Sequence, residues 1–320
     1  MVTLRRAVLL AVATGTFTGC ANLGSSGMVP GAGSTQMQSL QTRTETAPAK
    51  KHEGRVLYVA DIDGQPGVGQ ILVYTASMKN PQLLRTITNG TGRPFGLWVD
   101  SKNDLWAANE SNKYRASVTA FKPGASSPFF QITDFKGEPQ SVAVDGQGNV
   151  YVNESYEDEG FVQVYAPGKN IAERTIDTGV GGYAFNPGSM AFDPQGDLIV
   201  AEQAKLKLQI VKIAPGSSVA TPLGLDLNGI TGPGLGIDKA GNIYVASSGA
   251  ATVSVFASGQ TEPSRTIAQV GAYGLTNVTP QGAVYQASGE STVTEIAPGA
   301  NGPTFTLSCQ CSAQGAAVSK

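Results

Sequence analysis

From Arg55 onward, hydrophobic positions fall in short alternating runs broken by Gly, Pro, Asn and Asp. Alternation with period two over four to seven residues predicts β-strands, and the punctuation predicts turns. One unit recurs: residues 96–109 align with 141–153, 189–201 and 234–246. Each copy reads as a strand, an Asp-x-x-Gly-Asn/Asp-like turn opening at Asp100, Asp145, Asp193 or Asp238, and a second strand. A third strand follows at Val118–Phe121, Val162–Tyr165, Ile210–Ile213, Val253–Phe256 and Val293–Ile296. Its β-branched and aromatic alternation predicts a half-buried strand. A Pro-Gly or Ser-Gly turn then leads to a weaker fourth strand, as at Ser264–Ile267.

The second strand carries an aromatic or aliphatic marker at Tyr58, Trp106, Tyr151, Ile199, Tyr244 and Tyr285, 41 to 48 residues apart. That period is the length of a four-stranded propeller blade, so the pattern predicts an all-β, six-bladed β-propeller over residues 55–320. The first unit begins at its second strand, Val56–Val59, with no inner strand before it. The surplus run Gly315–Ser319 aligns with Ser141–Asp145. The C-terminal strand is therefore expected to complete blade 1 and close the ring, removing open sheet edges.

Composition narrows the remaining classes. Gly 40 and Pro 18 in 320 residues disfavour a helical bundle or coiled coil, while 41% hydrophobic residues suffice for a core. A net charge of −2 with no basic block offers no footprint for nucleic acid. A single histidine, His52, disfavours His-based catalysis and multi-His metal sites.

The N-terminus reads as an address. Arg5 and Arg6 precede an apolar run, Ala7–Phe17, too short for the roughly 20 residues a membrane span needs. Phe17-Thr18-Gly19-Cys20 resembles a bacterial lipobox, with Phe17 in place of the usual Leu. The resemblance implies a signal peptide over 1–19, lipidation of Cys20, and an extracytoplasmic protein attached to the membrane by its lipid alone. Ala21 is not the Asp linked to inner-membrane retention, so in a Gram-negative cell the outer membrane is implied. Residues 20–54 are rich in Gly, Ser, Thr, Gln and Ala without hydrophobic period, which predicts a flexible tether. Losing Arg5 and Arg6 but no acid takes the mature chain from −2 to −4.

The pattern P-x-G/S-hydrophobic-x-V-D, followed by G-N-hydrophobic-Y-V-A, resembles the NHL repeat. Pro94, Pro139, Pro187 and Pro233 carry the resemblance together with the four aspartates, whereas the sixth unit departs from it at Tyr273 and Thr279. Such propellers include lyases, lactonase-like metal hydrolases and non-catalytic binding domains, so the likeness implies the fold more than a reaction. Lyase relatives depend on propeller histidines, which His52 in the tether does not supply. The lactonase-like branch would implicate Glu110, Asn153, Glu154 and Glu202 around one divalent ion.

In a propeller the inner strand begins and the second strand ends on the same face. This places Asp61, Glu110, Glu154 and Glu202 at the channel rim, with Asn109 and Asn153 beside them. Converging oxygen donors suit Ca²⁺ or another divalent cation, and converging carboxylates would raise one another's pKa. Equally, each could be an independent solvated strand-end residue. The repeated turn aspartates on the opposite face are expected to be structural. Arg93, Tyr114, Arg115, Phe135, Tyr183, Phe185 and Tyr273 are expected on the binding face, as a ligand surface or as braces between blades. Cys309 and Cys311 read as a local disulfide or inert thiols, with redox activity as a third possibility. The favoured sum is a monomeric, cofactor-free scaffold for an envelope protein, peptide or carbohydrate. The rival is the metal-dependent hydrolase.

Overall fold

The computed structural model describes residues 54–320 except 65–68, 78, 111–115, 157–158, 182–188, 205–206, 233 and 269–273. The expected signal peptide, Cys20 and all but the last residue of the expected tether, His52 included, lie outside the described residues. Blade 1 uses β1 (Val56–Asp61), β2 (Gln70–Thr75) and β3 (Leu83–Ile87). Blade 2 is β4 (Arg93–Val99), β5 (Leu105–Glu110), β6 (Ser117–Phe121) and β7 (Phe130–Ile132). Blade 3 is β8 (Glu138–Val144), β9 (Val150–Tyr156), β10 (Glu159–Tyr165) and β11 (Arg174–Gly181). Blade 4 follows as β12 (Met190–Phe192), β13 (Leu198–Ala204), β14 (Lys207–Ile213) and β15 (Ala220–Pro222). Blade 5 comprises β16 (Gly234–Ile237), β17 (Ile243–Ser247), β18 (Thr252–Phe256) and β19 (Pro263–Ala268). Blade 6 comprises β20 (Thr276–Val278), β21 (Val284–Ala287), β22 (Thr292–Ile296) and β23 (Phe305–Ser308), and β24 (Ala313–Val318) ends the chain.

Six antiparallel four-stranded sheets result, and β24 joins the first in the order β24-β1-β2-β3. The innermost strands touch in a closed cycle: β24, β4, β8, β12, β16, β20 and β24 again. The fold is the six-bladed propeller expected from the repeat. Among the described residues there is no helix.

One expectation changes. The third strands are not half-buried: all five residues of β6 are buried, as are all six of the second strand β1. The physical reason is that each blade has a neighbour on both faces. Leu57 and Val59 pack on Ala283, Tyr285 and Val293 of blade 6. Tyr58 and Ala60, one residue out of phase, pack on Leu97, Leu105 and Phe121 of blade 2. Alternation here sorts side chains between two interfaces rather than between core and water. Each of the six interfaces has its own apolar cluster. The fourth strand of blade 1 borders solvent, as exposed Leu83 and Leu84 of β3 show.

The repeated aspartates hold the hairpin between inner and second strands. Asp145 Oδ1 accepts the Gln147 and Asn149 amides at 2.9 and 2.8 Å, and its Oδ2 accepts Asn149 Nδ2 at 2.7 Å. Asp238 repeats this with Ala240, Asn242 and the Tyr244 hydroxyl, and Asp100 reaches the Trp106 indole at 3.1 Å. Three residues after the turn-opening position the backbone is left-handed, at Gly148 (φ 90), Gly196 (φ 87), Gly241 (φ 82) and Gly282 (φ 85). Asn103 (φ 61) serves in blade 2, one of the few other residues that tolerate this conformation. In blade 6 Thr279 substitutes for aspartate, its Oγ1 accepting the Ala283 amide at 3.1 Å.

Closure rests on β24. Its ladder with β1 runs from Leu57↔Val318 to Asp61↔Ala313, and the Val56 amide donates to Ser319 Oγ at 2.8 Å. A Cβ on Gly315 would lie 2.3 Å from the Phe95 carbonyl oxygen of blade 2, so a side chain there collides with backbone. Truncation after Leu307 is expected to abolish the cooperative thermal transition. Gly315→Ala is expected to cost about 1–3 kcal/mol by overpacking. Calorimetry checks both, and a truncated chain that melts like the full one would refute closure by β24.

Candidate functional site

The face where inner strands begin and second strands end was expected to gather Asp61, Glu110, Glu154 and Glu202 at the channel. The structure brings together one pair from the predicted set, Asn153 and Glu202. Asn153 Nδ2 donates to Glu202 Oε1 at 3.4 Å, and the Thr178 hydroxyl donates to Glu202 Oε2. Glu202 belongs to β13, yet its carboxylate lies against Gly160 of blade 3, where a Cβ would approach Oε2 to 2.6 Å. It is 5% exposed. Glu154, next to Asn153 on β9, points to the opposite face of that strand. Its Oε2 accepts the Lys136 and Gly137 amides, both at 3.1 Å, in the segment between blades 2 and 3. Glu154 Oε1 is buried and makes no hydrogen bond among the described residues.

Glu110 pairs with Arg93 across the β4–β5 end at 2.9 Å. Asp61 faces another seam, accepting Gln70 Nε2 at 2.8 Å, the Asp63 amide at 3.2 Å and the Ser312 amide at 2.8 Å. Among the described residues no group of three or more His, Cys, Asp or Glu is close enough to hold a metal ion.

Neither Glu154 nor Glu202 is the solvated strand-end residue weighed above, and neither lies in a loop. Both are inside strands that continue to Tyr156 and Ala204. Counting three residues on from the aromatic marker explains why. Asp61, Asn109, Glu154, Glu202, Ser247 and Ser288 share one register and are all buried. Where partners are described, several receive backbone amides from the segment leading into the adjacent inner strand: Ser312 for Asp61, Lys136 and Gly137 for Glu154, Thr231 for Ser247. In this register Asn109, rather than Glu110, is the counterpart of the other acids, and its Nδ2 reaches Thr119 Oγ1 at 3.1 Å and Ser117 Oγ at 3.3 Å. The signal was available in the sequence as a repeated polar position after an apolar strand. Its inward direction was not.

Electrostatics follow burial. Glu202 is pushed up to about 7, first by desolvation, against the Thr178 and Asn153 hydrogen bonds that favour its charged form. Glu154 also rises to about 7, first by desolvation, with the Gly137 and Lys136 amides pulling it back. Glu110 is raised by burial and lowered by Arg93. The expected mutual repulsion of rim carboxylates is not the source: the acids nearby in charge are Asp177 for Glu202 and Asp134 for Glu154.

Of the predicted binding-face residues, Arg93 is described and its side chain is 38% exposed beside Glu110. Phe135 braces Tyr165 edge-on at 6.2 Å, a role in packing between blades. Tyr114, Arg115, Tyr183, Phe185 and Tyr273 lie outside the described residues. Ile62, Phe95 and Leu275 form a small apolar cluster. A cavity of about 70 Å³ is lined by inner-strand residues including Trp98, Ser141, Ser189 and Thr276, with no carboxylate in its wall.

This architecture defines a six-bladed β-propeller with its acids drawn into the blade seams. Solved structures agree at the level of fold. A chain of a nidogen/laminin complex superposes with TM-score 0.65 at 16% identity, covering 83% of this chain and 99% of that one. A protein of unknown function from Bacteroides caccae gives TM-score 0.60 at 11% identity, with coverages of 83% and 99%. A Lactobacillus plantarum protein gives 0.58 at 12%, again covering 83% and 99%. No family model matches the sequence, and no curated protein matches it.

A buried carboxyl whose pKa is raised on folding stabilises the protein while both states are protonated. That contribution is full below the unfolded value near 4.5 and is lost as pH rises to about 7. Glu202→Gln keeps the neutral form. It is expected to match the wild type at pH 5 and to melt above it at pH 8 by about 5 °C, from roughly 2 kcal/mol. Melting curves across this range test it; a parallel pH profile for both proteins would contradict the assignment.

Proposed function

We propose that the chain is a lipid-anchored, extracytoplasmic propeller that binds a partner without chemistry of its own. One observation carries this reading. The acids that could have formed an axial site are spent on structure: Glu154 and Glu202 are buried in the seams and Glu110 is held by Arg93. A general acid or a metal ligand must meet its substrate or ion, and these groups meet protein partners instead: Glu154 and Glu202 across the seams, Glu110 within its own blade. The Cys309–Cys311 disulfide supports a compartment where thiols oxidise. That a structural neighbour comes from a complex of nidogen and laminin supports use of such a propeller in protein recognition. The partner class is an envelope protein, a peptide or a carbohydrate, met by the protein as a monomer. The NHL resemblance and the lipobox extend the reading to a repeat lipoprotein released from a signal peptide at Cys20.

The rival is a divalent-metal hydrolase or lactonase using Glu110, Asn153, Glu154 and Glu202, and the Asn153–Glu202 contact is its best support. Two measurements decide between them. Protein purified without chelator is expected to carry no stoichiometric divalent ion and to melt unchanged in EDTA. A bound ion whose removal lowers stability and lactone hydrolysis together favours the hydrolase. Separately, Cys20→Ala is expected to move the protein from the membrane to the soluble fraction; retention in the membrane would end the lipoprotein assignment.

A further inference from the structure

Residues 309–312 carry the chain from β23, the outer strand of blade 6, to β24, the inner strand of blade 1. Within this crossing Cys309 and Cys311 are joined by a disulfide, their Cα atoms 5.3 Å apart. On one side the crossing is tied to blade 6. The Cys309 amide donates to the Ser291 carbonyl at 2.8 Å, and Ser312 Oγ donates to the Gly289 carbonyl at 3.4 Å. On the other side it is tied to blade 1. The Ser312 amide donates to Asp61 Oδ1 at 2.8 Å, and the Ser312 carbonyl accepts the Ile62 amide at 3.2 Å. Both cysteines are partly buried against the apolar cluster between blades 6 and 1.

We propose that the Cys309–Cys311 disulfide is a redox-operated latch on the ring seam, opened by an external dithiol. The oxidised link confines a segment of three residues and so holds the Cys309 and Ser312 amides toward Ser291 and Asp61 together. Reduction restores rotational freedom to this segment while the longer β1–β24 ladder stays paired. The chemistry balances as ordinary exchange. A thiolate of the dithiol attacks one sulfur and forms a mixed disulfide, and the other cysteine leaves as thiolate and takes a proton. The second thiol of the dithiol then displaces the remaining cysteine. The dithiol departs as a disulfide, and the protein has gained two electrons and two protons.

The latch sits where β24 begins, on the face proposed for binding. Its opening reaches that face through Asp61, which is 2% exposed and would lose one of its amide donors. The inference stands on the seam's geometry and does not depend on the scaffold reading.

The test compares the mature protein in air, the same protein fully reduced with dithiothreitol, and Cys309→Ser/Cys311→Ser. Alkylation with peptide-level mass readout first counts free thiols at Cys309 and Cys311: none are expected in air and two after reduction. Amide hydrogen exchange at Ser312, Ala313 and Ile62 is expected to accelerate by about tenfold or more on reduction, as local opening costs less free energy. The melting temperature is expected to fall by about 2–4 °C. The double serine variant should match the reduced protein and ignore dithiothreitol. Should that variant fold poorly, the reduced wild type still decides the matter. Free thiols at Cys309 and Cys311 in air, or exchange and melting unchanged after full reduction, would overturn the latch.

Discussion

Every blade depends on having a neighbour on each face. A single four-stranded sheet of this sequence would expose two apolar surfaces, because both faces of β6, and of β1 up to Asp61, carry hydrophobic or small side chains. Ring closure removes that exposure, and it is made by main-chain pairing of β24 with β1 rather than by side chains alone. The chain must therefore bring together segments at opposite ends of the propeller before the last seam can dry. Gly315, Gly96 and Gly236 follow from the same constraint, since the inner strands approach each other too closely near the axis for a side chain.

The seams are not purely apolar. At the end of each second strand one polar residue turns inward and, in several blades, receives amides from the segment arriving from the preceding blade. A crossing segment buried there would otherwise leave unpaired N–H groups, at a cost of about 1–3 kcal/mol each. A short oxygen-bearing side chain is the economical solution, and Asp, Glu and Ser all supply one. Charge is incidental to this role, which is why burial raises Glu154 and Glu202 toward neutrality without unmaking their contacts. The two ends of the hairpins are thus handled differently. On the far face Asp100, Asp145, Asp193 and Asp238 satisfy amides within one turn, and on the near face Asp61, Glu154, Glu202 and Ser247 bond to the arriving segment or a neighbouring blade.

This difference in range explains what could be read in advance. The turn aspartates bond two and four residues along the chain, so spacing alone exposed their role. Glu202 meets Thr178 and Asn153, 24 and 49 residues away, and Asp61 meets Ser312, 251 residues away. No local pattern encodes such partners. A carboxylate at a strand end therefore looked like one at a channel rim, and Asn109 was overshadowed by the charge on Glu110. The half-buried reading of the third strands failed for a related reason: alternation says that two faces differ, not what covers each.

By itself the sequence determined the strand count, the period, the turn chemistry and the displaced strand that closes the ring. All of these depend on backbone preferences and on the repeat itself. The tertiary structure decided where the acids go. A side chain's surroundings are made by residues distant in the chain: burial in the seams gave Asp61 and Glu154 backbone amides and gave Glu202 the side chains of Thr178 and Asn153.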